Sequence, residues 1–456
     1  MFIRNASALI ENGGTKEERR ARRLCILSAE SALEAVEPVK LIRSKLRIAG
    51  KSLIAGESRI DLSDFRRVFV IGGGKAALAM ADAVEAILGD RVTAGIVNVL
   101  DMQVAVPRKS RRIRLHGATH PLPSVVGQKG VEEMLELIGR PDEQTLVICL
   151  VSGGGSSLLP LPAEGVELAD KVEVTRGLLR AGATIQELNV VRKHLSSIKG
   201  GRLAQRLFPA RVLSLVISDV VGNRLDSIAS GPLYPDPSTF RDARNILAHY
   251  DLWDSLPPGI KKNLSSGTEG KIPETPKPGS RYFEKVSNVI VGSNEDACEA
   301  AARYLRREKC RPAILTTSYE GEARSAGTFL GAIVQYGAML PRPRSFVAGG
   351  ETTVVVKGDG RGGRNQEFAL SASMKISENC GVALISLGTD GLDGSTDAAG
   401  ALVDGSTLAR AGASGLSAED ALQRNDSYEF FRSLGDSIIT GPTGTNVNDI
   451  SIAVVV

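Results

Sequence analysis

Short apolar runs alternating with stretches of helical spacing organise the first 255 residues. Four runs rich in β-branched residues end in Gly, Ser or Asp: RRVFVIGG near 67–74, TAGIVNVLD at 93–101, TLVICLVSGGG at 145–155 and RVLSLVISDV at 211–220. Between and after them lie KAALAMADAVEAIL, VVGQKGVEEMLELIG, LADKVEVTRGLLRAG and the long ELNVVRKHLSSIKGGRLAQRLF, read as one helix. Strands that are apolar throughout are buried on both faces. Their alternation with helices predicts a parallel α/β sheet with helices on both faces, its functional loops at the carboxyl ends of the strands.

The rhythm stops at LPPGIKKNLSSGTEGKIPETPKPG. This Pro-, Gly- and Lys-rich stretch, residues 256–279, reads as a linker. It resumes with NVIVGS as a strand, EDACEAAARYLRREK as a helix, PAILTT as a strand and EARSAGTFLGAIVQYGAML as a helix. SFVAGGETTVVVKG follows as a strand or hairpin, then a helix over NQEFALSASMKIS and a strand over GVALISLGTDG. DSIITGPTG and NDISIAVVV read as two β segments, the second tied down in the fold. The expected organisation is a first domain over 1–255, a linker, and a second α/β domain over 280–456. Two domains also suit 456 residues, which exceed what one core usually serves.

Composition narrows the class without choosing a function. Hydrophobic residues are 42% and charged residues 24%, as in ordinary globular proteins. Lys and Arg number 56 against 52 acids, a net +4 too small and dispersed to argue for nucleic acid. The basic run Arg19–Arg23 reads as the solvated face of a first helix. Five scattered cysteines without metal spacing read as reduced, mostly core thiols of a cytoplasmic protein. No apolar segment has membrane length.

The candidate chemistry lies in Gly-rich loops. Gly72, Gly73, Gly74 and Lys75 follow a strand and open a helix, with Asp101 closing the next strand. That is the dinucleotide fingerprint in its expected context, and a cation in a helix's first turn asks for a nearby anion. Ser152, Gly153, Gly154, Gly155 and Ser156 form a second loop whose backbone N–H groups suit an anion. Asn189, Arg192, Lys193 and His194 precede Lys199, and Arg192 and Lys199, seven apart, would share one helix face. Asp219 ends a strand, placed for a metal or a substrate hydroxyl, and Ser230, Gly231 and Asp236 follow. The densest region is 349–400, where GGETT, GDGRGGRNQE and GTDGLDGSTDAAG gather Glu351, Arg364, Asn365, Glu367, Asp390, Asp393 and Asp397. Asn446 ends a further polar turn. Bare backbone, one forked cation and several carboxylates suit a polyanion handled with a divalent metal.

With these motifs in view, the chain resembles the class II glycerate kinases, which pair an N-terminal Rossmann-like domain with a C-terminal α/β domain containing a MOFRL region, here about 345–452. The resemblance rests on GGGKAALAMA, SGGGSSLL, LNVVRKHLSSIKGGRLA, ISDVVGN with IASGPLYPDPSTF, GGETTVVVKGDGRGGRNQEFAL, GTDGLDGSTDAAGALVD and TGPTGTNVND, spread over nearly the whole chain. It implies transfer of a phosphoryl group from ATP to the 2-hydroxyl of D-glycerate, with Mg²⁺, in a cleft between the domains. The family's catalytic cations fall on Lys75 and Arg364. Arg192, Lys193 and Lys75 are candidates for the glycerate carboxylate, and Asp219 and Asp390 for the hydroxyl proton and the metal. Small-molecule partners are implied, with no nucleic acid or membrane, and a homo-oligomer is compatible. Two positions depart from the usual pattern: Asn223 stands where an acid is usual, and Ser395 where Pro is usual. The rival reading is an NAD(P)H-dependent hydroxypyruvate reductase, supported by the first Gly loop and Asp101.

Overall fold

The structure is a computed structural model that describes residues 1–107 and 112–456. The chain forms two compact units. One comprises 41–218 and 223–291; the other comprises 1–40, 219–222 and 292–456.

The unit built around residues 41–291 begins with a small antiparallel sheet of β1 (Leu46–Ala49), β2 (Ser52–Ala55) and β3 (Ser58–Asp61). Its main sheet holds β4 (Arg67–Gly73), β5 (Ala94–Leu100), β6 (Ile113–Ala118), β7 (Thr145–Val151), β8 (Arg211–Ile217) and β9 (Val286–Gly292). Among the described residues the spatial order is β6-β5-β4-β7-β8-β9. The registers of β4 with β5 and β7, of β5 with β6 and of β7 with β8 are all parallel. In chain order this is the doubly wound 3-2-1-4-5-6 arrangement, whose direction of winding reverses between β4 and β7. Every residue of β7 is buried, as its unbroken apolar run requires.

Three expectations change here. NVIVGS forms β9, the edge strand of this sheet, and does not start the second unit's sheet. The expected linker contains a helix, Pro258–Thr268, with Pro at its first turn. Its Ile260 and Leu264, one helical turn apart, are fully buried in a core with Leu178, Leu188, Phe240 and Leu247. The segment after it is anchored too: Phe240 N donates to Glu274 Oε1 at 2.9 Å and Thr275 Oγ1 to Asp236 Oδ2 at 3.0 Å. The single long helix over 187–208 is two helices, Ile185–His194 and Arg202–Leu207. The first stops at His194, and Gly200 and Gly201, at φ 58° and 79°, lead into the second, so Lys199 lies in the connection.

The other unit carries β10 (Arg311–Tyr319), β11 (Arg344–Gly350), β12 (Val382–Gly388), β13 (Gly400–Asp404), β14 (Ser437–Ile438) and β15 (Asp449–Val455). Their order is β10-β11-β15-β12-β13-β14. β10 and β11 are parallel; β15 runs antiparallel to both β11 and β12. All residues of β12 and β15 are buried, which demands cover on both faces. Helices Ala323–Gly337 and Arg364–Ile376 supply part of it, sharing a core with Val382, Leu384, Ala453 and Val455. Helix Lys16–Ala35, from the chain's start, supplies another part; its Cys25 thiol lies 3.5 Å from the Ala383 carbonyl and 3.6 Å from that of Ile452.

That helix corrects the reading of the basic run. Arg19, Arg20 and Arg23 are exposed, but Arg22 is fully buried. Its guanidinium pairs with Asp404 and, at 2.8 Å, with Asp436. No hairpin forms over TTVVVKG. Lys357 and Gly358 donate their backbone N–H to Asn425 Oδ1 at 2.8 and 2.9 Å, fixing an irregular path. Of the cysteines, Cys380 is exposed and the other four are buried, all with free thiols. Among the described residues no helix is long and apolar enough to cross a membrane.

Candidate active site

Two clusters gather nearly all the singled-out residues, one in each unit. In the unit of 41–291, the loops after β4 and β7 lie side by side at the winding reversal. Lys75 N donates to Gly153 O at 2.8 Å and Ala76 N to Ser152 Oγ at 3.1 Å. Gly74 has φ 150°, and a Cβ there would sit 2.1 Å from Ser152 Oγ. Only a residue without a side chain lets these strand ends meet. Gly154 has φ 80°, and a Cβ on it would meet the His120 ring at 2.9 Å and Lys75 Cγ at 3.4 Å. The stem of Lys75 therefore runs over bare backbone.

A third loop closes on these two. Ala229, Ser230 and Gly231 are consecutive residues at φ 50°, 61° and 60°. Two of them are not glycine, a local cost that the surroundings must offset. Gly200 N and Gly201 N donate to the carbonyls of Ser230 and Gly231 at 3.0 and 2.8 Å. Ser230 Oγ donates to Asn189 Oδ1 at 3.0 Å and lies 3.2 Å from Ser156 Oγ. Lys199 Nζ donates to Ala229 O at 3.2 Å. Lys75, Ser152–Ser156, Asn189, Lys199, Ser230 and Gly231, drawn from separate motifs of the sequence, are thus brought together. Lys193 is not. It is buried, and its Nζ pairs with Asp236 Oδ1 at 3.2 Å, so its charge is already answered inside the protein.

Ser156, Lys171, Arg192 and Lys199 line a pocket of about 290 Å³ beside the loop after β7. Burial lowers the Lys171 amine to about 7, helped by the charge of Arg192. Burial, with Lys171 and Arg192 as neighbours, holds the Lys199 amine well below the usual lysine range. Lys171 and its pocket were not singled out from sequence. The signal was a lysine on the apolar stripe of helix Leu168–Arg180.

In the other unit the centre is Arg364, the first residue of helix Arg364–Ile376. Its Nε donates to Asp449 Oδ2 at 2.6 Å, Nη2 to Asp449 Oδ1 at 3.0 Å and Nη1 to Glu351 Oε1 at 2.7 Å. A guanidinium has five N–H donors, so two remain for a ligand. Burial disfavours its charge, but Asp449 and Glu351 outweigh that and raise its pKa further. Asp449 is a site residue that sequence reasoning missed. It pairs in register with both Gly350 and Gly388, the last residues of β11 and β12. An antiparallel strand delivers its first residue to the edge where its neighbours end.

Asp393 holds the start of the Arg364 helix. Its carboxylate accepts from Asn365 N at 3.0 Å and from Gln366 N at 2.9 Å, capping the helix from a distant loop. Burial pushes its carboxyl up to about 6, against the pull of those bonds. Asn365 is buried; its Nδ2 donates to Asp449 Oδ1 at 3.0 Å and its Oδ1 accepts from Ser386 at 2.9 Å, so it aligns Asp449. Glu367 is buried against Arg324 at 2.9 Å and accepts from Asn425 at 2.6 Å, a packing role. Asp390 is half-buried at the end of β12, with Oδ1 accepting from Leu392 N at 3.2 Å. Asn446, half-buried in the turn before β15, accepts from Asn448 N at 3.1 Å. Burial raises the Glu351 carboxyl, and the charges of Asp449 and Asp219 add to the effect despite Arg364. This rim holds more negative charge than its one guanidinium neutralises.

Known proteins frame this geometry. Residues 25–265 match a domain of unknown function, DUF4147, and residues 344–449 match the MOFRL family. The chain is 41% identical to a glycerate 2-kinase of Pyrococcus horikoshii over 429 residues, covering 93% of this chain and 95% of that one. It is 44% identical to an Agrobacterium vitis protein named, provisionally, as a hydroxypyruvate reductase, covering 84% of this chain and 98% of that one. A solved glycerate kinase structure from Thermotoga maritima is similar at a TM-score of 0.83 and 40% identity, covering 95% of this chain and 99% of the other. Likeness of this depth, sustained along nearly the full length of both chains, places the protein in the glycerate 2-kinase family.

Proposed function

We infer that the chain is a glycerate 2-kinase, moving the γ-phosphoryl group of ATP to the 2-hydroxyl of D-glycerate. Phosphoryl transfer needs little covalent help; it needs alignment and neutralised charge. The observation that carries the reading is Arg364, fixed in direction by Asp449 and Glu351 yet left with open donors. In this reading the glycerate oxygen bonds to the γ-phosphorus, the bond from that phosphorus to ADP breaks, and the hydroxyl proton passes to a carboxylate. Asp219 or Asp390 is the carboxylate proposed for that proton. Arg364 faces the charge that develops on the moving group, and Lys75 faces the glycerate carboxylate or the phosphates.

Magnesium suits the surplus of acid at this rim. Among the described residues no group of three His, Cys, Asp or Glu side chains forms a ready cage. A nucleotide-borne Mg²⁺ does not need one, since it takes one or two carboxylates and completes its shell with phosphate and water. Asp219 and Asp390 would hold it, and its charge would offset that of the phosphates. A cytoplasmic location fits these small-molecule substrates.

The test is a coupled assay for ADP with D-glycerate, L-glycerate and hydroxypyruvate, the product's phosphate position being read by phosphorus NMR. ADP release with D-glycerate and a 2-phosphate product are expected. Loss of NADH absorbance with hydroxypyruvate, and no ADP with D-glycerate, would replace this reading with the reductase.

A further inference from the structure

The pocket beside the loop after β7 gathers basic side chains, one of which the protein leaves without a partner. Lys171 Nζ is buried and has no hydrogen-bond partner in the protein. The charged groups facing it from the surrounding elements are Arg176, Arg192 and Lys199, all cations. Among the described residues no carboxylate lines the pocket. An unpaired buried ammonium is expensive to keep, so this cluster is built to meet an anion of several charges.

The walls add a second demand. Leu122, Val172 and Leu179 face the same space, and Leu122 and Leu179 are 46% and 55% exposed. Lys171, Val172, Thr175 and Leu179 recur at helical spacing on helix Leu168–Arg180, so one stripe presents both amine and aliphatic surface. Val174 and Leu178, on the adjoining stripe, are buried in the core. A three-carbon hydroxy acid has one charge and no apolar face, and would leave most of about 290 Å³ empty. A nucleoside polyphosphate has three or more charges and a flat base. The position agrees: Ser156 and Ser157, on the loop after β7, belong to the wall, and winding reverses between β4 and β7, where such sheets receive nucleotides.

We propose that this pocket seats the nucleotide, with the polyphosphate on Lys171, Arg192 and Lys199 and the base against Leu122, Val172 and Leu179. The proposal rests on the kinase reading and adds to it the unit, and the side chains, that hold ATP. The lowered Lys171 amine supports it, because a polyanion arriving there draws a proton onto a lysine that is part neutral near pH 7.

Calorimetry on the full chain tests it, with ATP, inorganic tripolyphosphate and D-glycerate as separate titrants. Lys171→Met should weaken both ATP and tripolyphosphate about tenfold and leave D-glycerate unchanged. Leu122→Ser and Leu179→Ser, at exposed positions, should weaken ATP about fivefold while sparing tripolyphosphate. ATP titrations in two buffers of different ionisation enthalpy should reveal proton uptake near pH 7 that Lys171→Met abolishes. In steady state the KM for ATP should rise and that for glycerate hold. A rise confined to the glycerate KM would give the pocket to the hydroxy acid and overturn this assignment while the kinase reading stands. Unchanged ATP binding in all three variants would overturn it likewise. A wild-type chain that neither binds ATP nor releases ADP with D-glycerate would bring down both.

Discussion

In the proposed reaction the chemistry turns on Arg364, and its neighbours Asp449 and Glu351 fix where its fork points. Lysine offers a point charge that cannot match a carboxylate in two places. Arg364→Lys should therefore lower turnover on the order of a hundredfold or more with an unchanged melting profile. Asp449→Asn, which keeps the shape but weakens the hold, should cost turnover up to about a hundredfold through misplacement while the ATP KM moves little. Lys171 makes a prediction about pH. Its folded pKa is lowered to about 7 by burial, below the ordinary lysine value. Between those values the unfolded chain binds the extra proton, so raising pH through that window favours the folded state. The stability of the wild type relative to Lys171→Met should accordingly rise as pH increases from 7 toward 10, followed by urea midpoints without nucleotide. Arg364 was legible in the sequence because glycines and acids crowd around it. Asp449 was not, since the rule of looking at carboxyl ends of strands fails for a strand running the other way.

Elements were legible where their pattern was strong and undiluted. The apolar runs of β4, β5, β7 and β8 named themselves, and their alternation with helices indicated a parallel sheet. The helix Pro258–Thr268 was hidden because composition spoke louder than spacing: of its buried residues Ile260, Asn263, Leu264 and Gly267, two alone are large apolar side chains. Leu264→Ala should destabilise by about 2–5 kcal/mol, readable as a lowered urea midpoint, whereas a true linker residue would cost almost nothing. The connection around Lys199 was misread for the opposite reason. Basic and apolar residues continue a helical period through it, but the helix stops at His194, Ser196 bridges to Pro162, and Gly200 and Gly201 adopt left-handed backbone before the next helix. That break takes Lys199 off the helix and lets its amine reach the Ala229 carbonyl.

At the scale of the molecule, the assignment of segments to units was the least legible feature. Nothing in the local pattern says that residues 1–40 belong with 292–456. Part of the information resides in a buried cation, beside contacts such as those of Asn5 and Cys25 with the far end of the chain. Arg22 pairs with Asp404 and Asp436, and Arg410 reaches Asp436 at 2.5 Å. Burial opposes the Asp404 charge, but Arg22 outweighs it and holds that carboxyl below the usual range. Removing one partner of such a network leaves the others uncompensated. Arg22→Met should therefore cost about 3–5 kcal/mol, measured as loss of stability in urea. As pH falls through the acid range, Asp404 is protonated and its share of that stability disappears in the wild type as well.

The placement of β15 between β11 and β12 also sets a timetable for the nascent chain. A sheet whose middle strand is translated after its flanks stands open until residues 449–455 leave the ribosome. Arg22 must wait for Asp436, 414 residues downstream. At ordinary elongation rates of roughly 5–20 residues per second that is on the order of 20–80 s. Until β12 and β15 emerge, the apolar side of helix Lys16–Ala35 lacks its partner strands, while residues 41–291 already have their own sheet to fold around. Cells making this protein should need a holding chaperone early in its synthesis, and releasing the nascent chain just short of residue 449 should yield aggregate.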